Sequence, residues 1–261
     1  MDIVLKHSLI ETSSLKSYCI SFLPGPKGPH HNAVAIFSHG YTASKSDLLS
    51  WASRLAKQGV ATIIFDWPGH YLGGQLEFPS FEIFKAQAFR LYEQAYKKLA
   101  QEISFIPEKC FIGGHSLGGI LAFPAIKTPF FSVMNTSLIA VGLGDSKKET
   151  HLLQSSFYKS TLNLRSQLVS KNLSPELVFP WIKKMKQDID LTGRRLHIIT
   201  GQDDLVSREG LFSLIDRLTQ LGNDVTLENP AKLAHHEPEK AAGFVKKFIL
   251  SQLEINGKVF K

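Results

Sequence analysis

Three short stretches of this chain bring together the side-chain types needed for nucleophilic chemistry at a carbonyl carbon: Gly114-His115-Ser116-Leu117-Gly118, Gly201-Gln202-Asp203-Asp204-Leu205-Val206 and Ala234-His235-His236-Glu237-Pro238. A serine hydroxyl is a weak nucleophile until a base takes its proton. The base works best when an acid fixes its tautomer and stabilises its charged form. Ser116 follows the apolar run Cys110-Phe111-Ile112-Gly113 and precedes a helix-like segment, the context of a nucleophile elbow. On such a turn the residues two before and two after the serine crowd each other, which is why both are glycine. The acid is Asp203 or Asp204 and the base His235 or His236, in the order serine, acid, histidine that this elbow calls for. The oxyanion formed during attack needs two preorganised N–H donors. They are assigned to the amide of Leu117, at the start of the helix, and the amide of Tyr41 in the loop Ser38-His39-Gly40-Tyr41-Thr42.

These loops must stand at the carboxyl ends of neighbouring strands, where ligands gather in open α/β sheets. Short apolar runs at Ala33–Phe37, Val60–Phe65, Cys110–Ile112, Leu138–Val141, Leu196–Ile199 and Val225–Leu227 read as buried strands. Between them lie helical stripes: Leu48, Trp51, Ala52 and Leu55 ending at Gly59; Phe84, Ala88, Leu91, Ala95 and Leu99 after Ser80; Leu211, Leu214, Ile215 and Leu218 ending at Gly222; and a last one over Ala241, Phe244, Val245, Phe248 and Ile249. Ile3–Ile10 and Tyr18–Phe22 read as an opening antiparallel pair. The alternation predicts an α/β fold with a mostly parallel central sheet and helices on both faces, in a single domain over residues 1–261. From 144 to 191 the rhythm breaks. Leu177, Trp181 and Met185 form a stripe after Ser174-Pro175, yet no strand follows for longer than an ordinary crossover, so 144–191 is expected to be a small helical cap inserted between core strands.

Composition narrows the function classes. The net charge is +7, but Lys147-Lys148, Lys183-Lys184-Met185-Lys186 and Lys246-Lys247 read as solvated helix faces without interleaved aromatics, which argues against nucleic acid as a partner. Cys19 and Cys110 both fall in predicted strands and read as apolar filler, and the N-terminus lacks a basic segment followed by a long apolar core, so a cytoplasmic protein with no integral membrane segment is expected. His30 and His31 lack a matching ligand set for a metal, and neither a Walker spacing nor a dinucleotide glycine series occurs; no metal or cofactor is expected.

His39-Gly40-Tyr41-Thr42, Asp66-Trp67-Pro68-Gly69-His70, Gly114-His115-Ser116-Leu117-Gly118-Gly119, and Gly201 followed by an acidic pair and a late histidine occur in one order over nearly the whole chain outside the cap. In these the chain resembles the α/β-hydrolase superfamily, and in the loop Phe37-Ser38-His39-Gly40-Tyr41-Thr42-Ala43-Ser44-Lys45 it is similar to small bacterial serine esterases with a prolyl-oligopeptidase-like core. The resemblance implies an acid three residues after the strand-ending glycine, favouring Asp204, with Asp203 as the alternate. His235, just before the Pro238 that opens the last helix, is preferred to His236. His39 and His70 belong to turn motifs, Asp66 stabilises its own turn, and His115 is the variable middle of the elbow. The expectation is a serine carboxylesterase acting on a small-molecule, short-acyl ester through an acyl-enzyme. A peptidase or a thioesterase or acyltransferase is the alternative, and a binding module of the same fold that has lost catalysis is a more distant one. Neither oligomeric state nor acyl length has a signature in the residues.

Overall fold

The computed structural model describes residues 2–145 and 156–254; positions 146–155 of the expected cap interval, with Lys147-Lys148, lie outside the described residues. Eight strands form one sheet: β1 (Ile3–Glu11), β2 (Lys16–Pro24), β3 (Ala33–Ser38), β4 (Ala61–Phe65), β5 (Lys109–His115), β6 (Thr136–Val141), β7 (Arg195–Ile199) and β8 (Asp224–Glu228), in the spatial order β1-β2-β4-β3-β5-β6-β7-β8. β2 pairs antiparallel with β1 and β4, and all strands from β4 to β8 run parallel. This is the expected mostly parallel sheet. Because β4 lies on one side of β3 and β5 on the other, the chain reverses its winding at β3, and a crevice opens beyond the carboxyl ends of β3 and β5. Ser38 and Gly114 face each other in register there.

Pleating splits each central strand between two helical layers, so both faces must be apolar. Ala33, Ala35 and Phe37 of β3 pack with α1 (Leu49–Lys57) and α9 (Ala242–Glu254). Val34 and Ile36 pack on the other face, which is covered by α3 (Leu91–Ala100), α4 (Leu117–Ile126) and α8 (Leu211–Gln220). A single turn, α5 (Pro129–Ser132), leads from α4 toward β6. α1 is also tied to the far end of the chain, since the Trp51 indole N–H donates to Pro238 O at 2.8 Å.

Two helical expectations need correcting. The stripe after Ser80 is not one helix: α2 (Phe81–Gln87), which Ser80 caps by accepting from the Ile83 N–H, gives way to a 3-10 turn at Ala88–Arg90 before α3. The stripe steps by three residues from Ala88 to Leu91, and a turn of three residues keeps both on the buried face. In the interval between β6 and β7, α6 (Ser156–Gln167), a 3-10 turn at Lys171–Leu173 and α7 (Pro175–Gln187) follow one another with no strand among the described residues. The buried stripe of α7 is Val178, Ile182 and Lys186 rather than Leu177, Trp181 and Met185; Leu177 is exposed and the other two are half-buried. A lysine on the inward face disguised the true stripe. Among the described residues no helix is long and apolar enough to cross a membrane.

Candidate active site

Ser116 sits on the turn from β5 into α4 with φ 48° and ψ −108°, a backbone region that costs a non-glycine residue about 1–3 kcal/mol. The surroundings hold it there. The Ser116 N–H donates to Val141 O at 2.8 Å and the Gly118 N–H to His39 O at 3.0 Å. Gly114 and Gly118 are required by close approach, because a Cβ on either would stand 1.9 Å or 2.1 Å from Ser38 O. The elbow is thereby pressed onto the end of β3, and a Cβ on Gly40 in the loop beyond β3 would lie 3.3 Å from Ser116 Cβ. The Leu117 N–H, in the first turn of α4, makes no backbone hydrogen bond among the described residues.

Two further loops reach the serine from β7 and β8. His235 Nε2 lies 3.1 Å from Ser116 Oγ, and His235 Nδ1 lies 2.8 Å from Asp204 Oδ2. Asp204 is 1% exposed, and its other carboxylate oxygen accepts the N–H groups of Val206 and Ser207, each at 2.9 Å. Burial pushes the Asp204 carboxyl up, but the hydrogen bond and charge of His235 and the Ser207 amide prevail and hold it below the usual carboxylate range. With Nδ1–H directed at that carboxylate, the Nε2 lone pair faces the serine hydroxyl. Of the adjacent pairs read from the sequence, the structure brings Asp204 and His235 to Ser116. Asp203 is exposed, and His236 stands at the rim of the cavity.

The loop after β3 is held by a buried polar network. His39 Nε2 accepts the Trp67 N–H at 3.0 Å, so its proton is on Nδ1, which donates to Gly40 O at 2.8 Å. The Trp67 indole N–H returns to His39 O at 2.9 Å. Burial, with the Lys45 charge nearby, takes the His39 pKa down to about 3 against the opposing Gly40 hydrogen bond, so the imidazole stays neutral 3.4 Å from Asp66 Oδ1. Asp66 accepts the Lys45 N–H at 2.8 Å and pairs with the Lys45 ammonium. His39 and Asp66 thus brace the loop that presents Tyr41. His70, buried in edge contact with His39 and Tyr41, is driven to about 3 by burial and by His39.

Above the serine lies a cavity of about 300 Å³ whose wall includes Tyr41, Thr42, Arg165, Phe179, Ile182, Lys186 and Val206. The Tyr41 hydroxyl donates to Leu173 O at 2.6 Å and Arg165 Nη1 to Thr42 Oγ1 at 3.2 Å, so the segment between β6 and β7 clasps the loop after β3. His115, in the middle of the elbow, is buried with its ring 4.9 Å from that of His235, and burial and the His235 charge take its pKa to about 3. Among the described residues neither ring nitrogen of His115 has a hydrogen-bond partner.

Lys186 also departs from the expectation of a solvated face. It is 4% exposed, lines the cavity, and is pushed by burial from 10.5 to about 8 despite the carboxylates of Asp204 and Asp145. Its place four residues after Ile182, itself four after Val178, was the available signal.

A mostly parallel sheet whose winding reverses at β3, with a serine on the strand-to-helix turn beside it, defines an α/β-hydrolase. The family model described as serine aminopeptidase, S33, matches residues 29–231, and the chain belongs to that family, a serine hydrolase of the α/β fold. Among solved structures it is similar to the acylaminoacyl peptidase of Pyrococcus horikoshii, at 15% identity and a TM-score of 0.66 over 99% of this chain, which spans 43% of that one. It is similar also to Est1E from Butyrivibrio proteoclasticus, with 15% identity, TM-score 0.56, and 94% and 98% of the two chains covered. A third likeness is to the thioesterase domain from the curacin biosynthetic pathway, with 17% identity, TM-score 0.57, and 95% and 99% covered. At such identities the likeness is one of fold. No curated protein sequence matches this chain.

Proposed function

We propose that this protein hydrolyses carboxylic esters with a short acyl group, through an acyl-enzyme on Ser116. The observation that carries the reading is the line of contacts from Ser116 Oγ to His235 Nε2 at 3.1 Å and from His235 Nδ1 to Asp204 Oδ2 at 2.8 Å, at the base of the cavity. His235 Nε2 takes the hydroxyl proton as Ser116 Oγ attacks the carbonyl carbon, and the carbonyl oxygen becomes an oxyanion between the amides of Leu117 and Tyr41. The imidazolium, steadied by Asp204, gives that proton to the departing alkoxide as the C–O bond breaks. Water, deprotonated by the same nitrogen, then attacks the acyl carbon, and the acid leaves as Ser116 recovers its proton. No step calls for a metal or cofactor.

A short acyl group is supported by the cavity, whose volume of about 300 Å³ is at the lower end of the 300–1,000 Å³ of small-molecule sites, and by α6 and α7, which act as a small cap over it. A peptidase is the second reading, favoured by the family's description and by the fold shared with an acylaminoacyl peptidase of which this chain spans 43%. The test is labelling with a fluorophosphonate followed by turnover of a matched ester, thioester and amide with one acyl group. Modification at Ser116 with the ester cleaved fastest is expected. An unlabelled serine would refute the hydrolytic role, and preference for the amide or thioester would move the activity to the corresponding class.

A further inference from the structure

Lys186 is a largely buried cation on the wall of the cavity, and the carboxylates that influence it, Asp204 and Asp145, are not bonded to it. Among the described residues no hydrogen-bond or ion-pair partner stands against its ammonium group. The two carboxylates that influence it have other commitments: Asp204 is bonded to His235 and two amides, and Asp145 lies 3.7 Å from Arg217. A largely buried ammonium with no bonded counter-ion among the described residues is costly unless an anion pairs with it. α7 is fastened in place, since Arg217 donates to Lys186 O and Gln187 O at 2.7 and 2.6 Å. The stem of Lys186 continues the Val178 and Ile182 stripe into a cavity that also contains Ser116 and His235. Arg165, from α6, is a second cation on the same wall.

We propose that Lys186 binds a carboxylate carried by the substrate, so that the preferred substrates are monoanionic esters. The proposal rests on the ester-hydrolase reading for its reaction and on Lys186 for its selectivity. The carboxylate displaces water from the ammonium, forms the ion pair that the fold leaves open, and positions the ester over Ser116.

Kinetics with two matched pairs test this. Mono-p-nitrophenyl adipate against p-nitrophenyl hexanoate puts the charge on the acyl side, and 4-acetoxybenzoate against its methyl ester puts it on the alcohol side. In one pair the wild-type protein is expected to prefer the anion, and Lys186→Met to lower the anion-to-neutral ratio of kcat/KM by about ten- to a hundredfold, the range of a charged hydrogen bond. A ratio unchanged within about twofold in both pairs overturns the proposal, even if both rates fall together, as loss of support around Asp204 would cause. Equilibrium binding separates this from the reaction. In a Ser116→Ala background, monomethyl adipate is expected to bind about tenfold more tightly than dimethyl adipate, a gap of about 1.4 kcal/mol that the added Lys186→Met change removes. Equal binding of the two esters overturns the anion site. If the wild-type protein cleaves none of the esters while the binding difference holds, the ester-hydrolase reading fails and the anion site stands.

Discussion

Replacing Lys186 by methionine is expected to stabilise the fold at neutral pH while harming its selectivity. Burial brings the ammonium pKa from 10.5 down to about 8, with Asp204 and Asp145 opposing the change. At about 1.4 kcal/mol per pH unit, holding the charged form inside the fold costs about 3 kcal/mol relative to the unfolded chain. The sign follows from proton counting. Below pH 8 both states are protonated and the cost is full. Between 8 and 10.5 the unfolded chain binds the proton more tightly, so stability rises with pH and the cost fades. Methionine keeps the apolar stem and removes the charge. The variant is therefore expected to gain about 3 kcal/mol at pH 7, or about 6–12 °C in Tm for a chain of this size, and little at pH 10.5. Urea unfolding of both proteins at pH 7, 9 and 10.5 checks this. A variant less stable at pH 7, or a gain that does not shrink with pH, would refute the reasoning that burial disfavours the charged form of this lysine.

Ser116→Ala is expected to lower kcat by about 10⁴–10⁶-fold with the fold retained, read from ester turnover and thermal unfolding. Asp204→Asn is expected to cost about ten-thousandfold in kcat by misorienting His235, whereas Asp203→Asn leaves kcat within about twofold. Because the Asp204 carboxyl is held low in the fold, its contribution to stability is present above its unfolded value of 3.8 and is lost as pH falls below it; denaturation at pH 5 and pH 3 would show a smaller difference for Asp204→Asn than for the wild type. Gly118→Ala drives a Cβ to 2.1 Å from Ser38 O, and a loss of about 4 kcal/mol or failure to fold is expected in expression and melting trials. His39→Ala strands the buried Trp67 N–H, costing about 1–3 kcal/mol, and is expected to lower kcat more than it raises KM as the loop bearing Tyr41 loosens.

The order of residues was enough to indicate the sheet, its helical cover and the loops that meet at Ser116. Buried parallel strands read as unbroken apolar runs, and the glycines of the elbow are demanded by contacts that admit no Cβ. What lay beyond reach was direction. Asp203 and Asp204, like His235 and His236, are chain neighbours of one chemical type, and only the path of the loops after β7 and β8 turns Asp204 and His235 toward the serine while leaving Asp203 in solvent. The same holds for α7. Apolar spacing draws the eye to Leu177, Trp181 and Met185, but packing against α4 and the cavity rotates the helix by one residue and turns Lys186 inward. Local pattern encodes which residues prefer to leave water. Which buried groups face one another, and which charge is left without a partner, depends on the long-range packing that brings β3, β5, β7 and β8 to one edge.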